Sequence, residues 1–166
     1  MGDTYTLGSY EQDNNISNGQ EAIEWTVLDI KDGKVLLLSE KALAFKPFNT
    51  SLESVTWDTC SLRQWLNNDF LQDAFSDIEQ SIILTIKEAN ECYSESDSST
   101  KIFLLKGAEV QEYLVEEKIS CEPTTYAKTQ TTVPISDSCK WWLRISGFSP
   151  TCAVKVNEDG FIDTKG

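Results

Sequence analysis

The sequence predicts an α+β fold: a single antiparallel-rich domain, residues 1–166, with two main helices packed on a twisted sheet. Short segments of period-two alternation recur along the chain. An Asp-Gly turn joins two of them. Between the strand-like halves, Leu62, Trp65, Leu66 and Phe70 recur at helical spacing. A chain of 166 residues is the size of one domain and buries roughly 70% of its unfolded surface. Five Trp, seven Phe and five Tyr supply the core.

Thr4-Tyr5-Thr6-Leu7 opens as a strand, followed by a polar loop from Glu11 to Gln20. In Ala22 to Leu28, Ile23, Trp25 and Val27 fall on one face, with Glu24 and Thr26 on the other. Lys31-Asp32-Gly33-Lys34 is a tight hairpin turn, because Asp-Gly accommodates positive φ. The returning Val35-Leu36-Leu37-Leu38 run is apolar throughout and predicts burial on both faces. Ser39 to Ala44 reads as a short helix stopped by Pro47. After Trp57-Asp58, a helix is expected from near Thr59 to about Leu71, weakened at its end by Asn67-Asn68. Ser76-Asp77-Ile78-Glu79 is a capping box opening a second short helix.

Tyr93 to Thr100, dense in Ser, Glu and Asp, reads as a mobile loop. Lys101 to Leu105 is strand-like, and Ala108 to Val115 forms a helix with Val110 and Leu114 inward. A polar loop follows Cys121 to Ala127 and runs to Ser138. In the strand from Cys139, alternation sends Trp141, Leu143 and Ile145 to a core and Trp142, Arg144 and Ser146 to the opposite face. Gly147 to Pro150 turns the chain into Cys152 to Val156. Asn157 to Gly160 turns it again into Phe161 to Asp163. No internal repeat or interdomain linker stands out.

Several blocks, in this order, carry a family resemblance over essentially the whole chain. They are Leu7 to Asp13 with Ile23 to Leu28, Val55 to Asn68, Ile102 to Leu105, Pro123 to Ala127, and Trp141-Trp142-Leu143-Arg144. Together they resemble the bacterial DUF6273 family, a domain of unknown function with a WWLRSPG signature. Here Ile145-Ser146-Gly147 stands where the family has Ser-Pro-Gly. Such domains usually continue past the Asn-x-Asp-Gly turn to a GVRPALWI-like strand, so the resemblance implies a domain lacking its closing C-terminal strand. It implies, in turn, an exposed sheet edge near Thr4 to Leu7 and self-association through it. The order of elements is also similar to C-type-lectin-like folds, including relatives of formylglycine-generating enzymes. That likeness implies a ligand held by the loop-rich half. The copper-bound cysteine pair of those enzymes has no counterpart here.

The charge balance, Lys+Arg 14 against Asp+Glu 27 for a net of −13, argues against nucleic acid and anionic membranes. With no histidine, Ser-His-Asp and Cys-His chemistry is excluded. The longest apolar run, Val35 to Leu38, is far too short to insert in a membrane. Met1 to Tyr5 lacks the features of a signal peptide, so a cytoplasmic protein is expected by default, with a cell-surface fragment as the alternative. The five cysteines are far apart, without a C-x-x-C pair. They read as reduced, buried thiols in preference to a disulfide framework. Asn15-Ile16-Ser17 and Asn49-Thr50-Ser51 match the glycosylation pattern, which arises often by chance. The acidic residues from Glu88 to Asp97 lack EF-hand spacing, and lectin-type EPN and WND motifs are missing. No metal and no cofactor are expected.

What remains is binding. The candidate ligand-binding residues are Trp142, Arg144, Ser146, Phe148, Lys155 and Asn157, on the face opposite Trp141 and at the neighbouring strand end. Small groups at Ser146 and Gly147 leave room beside the two large ones. Aromatic faces suit sugars, and Arg suits carboxylates or peptides. A non-catalytic module for a small molecule, glycan or protein is therefore expected. The alternatives are an enzyme using Cys139 or acidic residues, and a structural or scaffolding domain.

Overall fold

The computed structural model describes residues 2–87, 99–114, 119–147 and 151–165. The chain opens as an antiparallel meander of β1 (Thr4–Tyr10), β2 (Glu21–Lys31) and β3 (Lys34–Ser39). The β2–β3 turn is the expected hairpin, with Asp32 and Gly33 at φ 51° and 72°, the pair of positive φ values that a type I′ turn requires. A bulge between Thr6 and Ser9 bends β1, and at its centre Gly8 has φ 71°. A Cβ there would lie 2.5 Å from the Ala74 carbonyl oxygen and 2.7 Å from the Phe75 ring. Only glycine lets this strand approach the helix that crosses it.

β3 is not buried on both faces. It is an outer strand of its sheet, with Val35 exposed, while Leu36 and Leu38 reach inward. Ser39 to Ala44 is not helical either. It contains β4 (Lys41–Ala42), which pairs in parallel with β7 (Glu122–Pro123). The Glu40 N–H donates to the Glu24 carbonyl, and the Ala42 carbonyl accepts from Thr124 N–H. A single helical turn is a weak competitor for such tertiary bonds.

The expected central helix starts at the cap Cys60, whose sulfur accepts from Arg63 N–H. It runs as α1 (Ser61–Trp65), a π-helical turn (Leu66–Phe70) and α2 (Leu71–Ala74). Asn67 and Asn68 therefore do not end it. Asn67 instead ties the π turn to a distant segment. Its Oδ1 accepts from the Thr100 hydroxyl, Lys101 N–H and Ile102 N–H, and its Nδ2 donates to the Arg63 and Ile102 carbonyls. Lys101 to Leu105 forms no strand: side chains take the backbone groups of Lys101, Ile102 and Leu104, and, among the described residues, only the Leu105 carbonyl accepts from a backbone N–H, that of Arg144.

The Ser76–Glu79 capping box opens α3 (Asp77–Ile82) as expected. β5 (Ile86–Lys87) pairs with β6 (Ser99–Thr100). Most of the polar stretch expected as a loop from Tyr93, like Val115, lies outside the described residues. α4 (Gly107–Tyr113) turns Val110 inward, with Leu114 at its cap. α5 (Thr125–Thr129), unforeseen in the sequence, is capped by the Thr124 hydroxyl. β8 (Trp141–Ser146), β9 (Ala153–Val156) and β10 (Ile162–Asp163) form a second antiparallel sheet.

The fold is thus α+β with mostly antiparallel pairing, but among the described residues its strands divide into two three-stranded sheets and two short ladders. β8 and β9 form the wall common to two apolar clusters. Trp142 and Ala153 face the cluster of Ile23, Phe48, Trp57, Leu62 and Phe70. Leu143, Val154 and Val156, with Trp141, face Leu28, Leu105, Val110 and Leu114. Ile145, expected inside, is 37% exposed where β8 nears its end.

Candidate functional site

β8 runs between the clusters, so both of its faces are covered. Trp142 donates its indole N–H to the Lys46 carbonyl at 3.0 Å and meets the Phe48 ring edge-on at 5.9 Å. That contact fixes the loop after β4 and places the Lys46 amine 5.0 Å from the centre of the Trp65 ring. Arg144, two residues on, is turned inward: its side chain is 6% exposed and pairs with Glu109 at 2.6 Å. It also donates to the Leu104 carbonyl at 2.9 Å and stacks its guanidinium 4.8 Å from the Phe103 ring. Arg144 therefore organises Phe103 to Leu105 and the start of α4.

Lys155 lies directly across from Trp142 in the β8–β9 ladder and pairs with Asp163 at 3.7 Å. Asn157 follows β9, its N–H bonded to the Phe161 carbonyl and its carbonyl to Gly160 N–H. Ser146 ends β8 opposite Ala153; its side chain and the whole of Phe148 lie outside the described residues. The side on which a Gly147 side chain would stand is filled. A Cβ there would lie 2.9 Å from the Cys152 Cβ, so this glycine admits the returning chain, not a ligand.

A cavity of about 260 Å³ opens beside Trp142. Its walls come from β3–β4 and the loop after them, the central helix, Ile102 to Leu105, Ile119 to Cys121, and the start of β8. Aromatic groups, Trp25, Phe45, Trp65, Phe70, Phe103, Trp141 and Trp142, stand among leucine, isoleucine and alanine side chains. Its charged residues are Lys41, Lys46, Lys140 and Glu40; the Glu40 carboxylate already accepts from the Thr26 hydroxyl. Of the sequence-derived candidates, Trp142 lines this cavity and Arg144 braces one wall. In the sequence Trp65 reads only as part of the helical core stripe, and Lys46 and Phe103 are not singled out, because no local pattern marks residues that meet through tertiary packing. A second depression of about 510 Å³, at Gly107, Ile145, Gly147 and Ile162, offers only Gln111 and Thr164 as polar side chains.

The thiols are differently placed. Cys60 is buried, and burial pushes its ionisation up. Cys139 is fully buried and faces Cys121 across an isolated antiparallel bridge. The neighbouring Cys139 thiol lowers the Cys121 ionisation, and Cys139 holds its proton more tightly because of the Cys121 thiol and its own burial. Among the described residues, Glu11, Asp13 and Glu21 bring carboxylate oxygens within 4.8 Å of one another. These accept from the backbone N–H groups of Gln12, Asp13 and Asn15 and from the Asn18 amide, which shapes the β1–β2 loop.

Residues 32–166 match the model of a domain of unknown function, DUF6273. No curated protein and no solved structure matches the chain significantly. The matched span includes β3, the central helix and every cavity-lining residue except Trp25 of β2. The chain belongs to the DUF6273 family.

Proposed function

We propose that this domain is a non-catalytic binding module of a bacterial protein, and that it takes a small apolar or aromatic group bearing a carboxylate, such as the terminal residue of a peptide. The observation carrying this reading is the aromatic cavity beside Trp142 with its excess of lysines. In a chain of net charge −13, Lys41, Lys46 and Lys140 sit on one cavity lining against Glu40 alone. Ligand pockets commonly measure about 300–1,000 Å³, so one of about 260 Å³ suits a single side chain with its end group. Trp142 serves as wall and Arg144 as brace. Lys155 and Asn157 belong to the proposal as residues of the strand paired with that wall and its end, and Ser146 by its place on β8; Phe148 is kept in it from the sequence alone. The enzyme alternative is weaker, because Cys139 is buried and holds its proton.

Calorimetric titration with N-acetyl-phenylalanine, its amide and N-acetylglucosamine tests this. The carboxylate is expected to bind, and its amide more weakly. Replacing Lys46 by Met, which removes a charged contact worth about 1.5–3 kcal/mol, weakens the carboxylate about tenfold or more. Preference for the sugar, or equal binding of acid and amide, contradicts the reading.

A further inference from the structure

The geometry points to a thiol–disulfide exchange site at Cys121 and Cys139, which react with a small-molecule disulfide and close a reversible cross-strand link. The two residues are direct partners in an antiparallel bridge, and Cys139 N–H donates to the Cys121 carbonyl at 2.8 Å. Hydrogen-bonded antiparallel partners hold their Cα atoms about 5.5 Å apart, within the range a disulfide spans. The pair is also asymmetric. Cys121 is half-buried and lines the cavity, whereas Cys139 is enclosed. Cys121 is also the thiol that loses its proton more easily. One thiol can meet a reagent and the other can only meet its partner. Cys60 and Cys152 lie outside this bridge. The inference stands on the bridge and not on what the cavity binds.

The chemistry balances. The Cys121 thiolate attacks one sulfur of the small disulfide, whose S–S bond breaks; the first thiolate leaves with the electron pair and takes up a proton. With Cys121 capped, its thiolate no longer opposes ionisation of Cys139, which leaves Glu158 opposing it and Lys128 favouring it. Cys139 gives its proton to the second leaving sulfur and attacks Cys121, expelling that second thiol. The chain loses two protons and two electrons, and the small disulfide is reduced to two thiols. The link clamps the segment leading into β7 to the start of β8, two parts of the cavity wall.

Incubating the native chain with oxidised glutathione, followed by alkylation and tryptic mapping without reduction, tests this. Trypsin cuts after Lys118, Lys128 and Lys140 and so places the two cysteines on different peptides. The expected product joins those peptides, lacks two hydrogens, carries no glutathione, and reverts with dithiothreitol. Closing a loop of this length raises the melting temperature by about 6–12 °C. In Cys139→Ser the single glutathione on Cys121 persists, because nothing displaces it. Both thiols still open to alkylation in the native chain, Cys121 linked to any cysteine other than Cys139, or a linked form that melts no higher would each overturn the inference.

Discussion

Replacing Arg144 by alanine removes a guanidinium that is 6% exposed and leaves Glu109, itself 26% exposed, without its cation. Removing one partner of a buried ion pair costs about 3–5 kcal/mol. Glu109 is partly solvated and keeps the Lys106 N–H as a donor at 2.7 Å. The Leu104 carbonyl loses its donor, and Phe103 loses the cation over its ring. The net expectation is about 2–4 kcal/mol, a large part of a typical stability of about 5–15 kcal/mol. Arg144→Lys keeps the charge but not the fork that reaches Glu109 and Leu104 together, so it loses less, about 1–2 kcal/mol. Urea unfolding of the three proteins, followed by tryptophan fluorescence, measures this as a lower midpoint at unchanged slope. Arg144→Ala within about 0.5 kcal/mol of the native chain would refute the reasoning. The guanidinium would then stand in water, available to a ligand directly.

Gly8→Ala is expected to destabilise by at least about 1–2 kcal/mol, the cost of a left-handed residue alone, plus the clash with the Ala74 carbonyl; thermal melts check it. Glu79 accepts from Gly8 N–H, Ser76 N–H and the Ser76 hydroxyl, which hold its carboxyl below the ordinary range. Its contribution is thus present above that range and lost as pH falls through the lowered value. Melting points of Glu79→Gln should fall less between pH 7 and pH 3 than those of the native chain. β1 is an outer strand with Thr4, Tyr5 and Thr6 exposed, so the chain is expected to dimerise at high concentration through this edge. Sedimentation should show Tyr5→Lys to be monomeric where the native chain is not, and a native monomer throughout would contradict this.

The features legible in the sequence are those whose signal and partner lie close together. The Asp32-Gly33 turn, the Ser76–Glu79 box, the stripe from Leu62 to Phe70 and the inward Val110 each rest on a few consecutive residues. The misread segments owe their shape to distant groups. Ser39 to Ala44 is drawn into pairing with β7, and Lys101 and Ile102 bond to Asn67. Alternation correctly separated Trp142 from Leu143, because a pleated strand fixes side-chain direction. What covers the Trp142 face was not legible: its partner Lys46 is 96 residues away. The cavity is hidden for the same reason, since Lys46, Trp65 and Phe103 carry no common local pattern.

The most direct test of the binding proposal follows the indole N–H signals of the five tryptophans by nuclear magnetic resonance during titration with N-acetyl-phenylalanine. Trp65, Trp141 and Trp142 line the cavity, as does Trp25, whereas Trp57 is buried outside it. The account predicts saturable shifts for Trp65 and Trp142, which flank Lys46, with Trp57 unmoved. Absence of shifts at both, or shifts largest at Trp57, would contradict it.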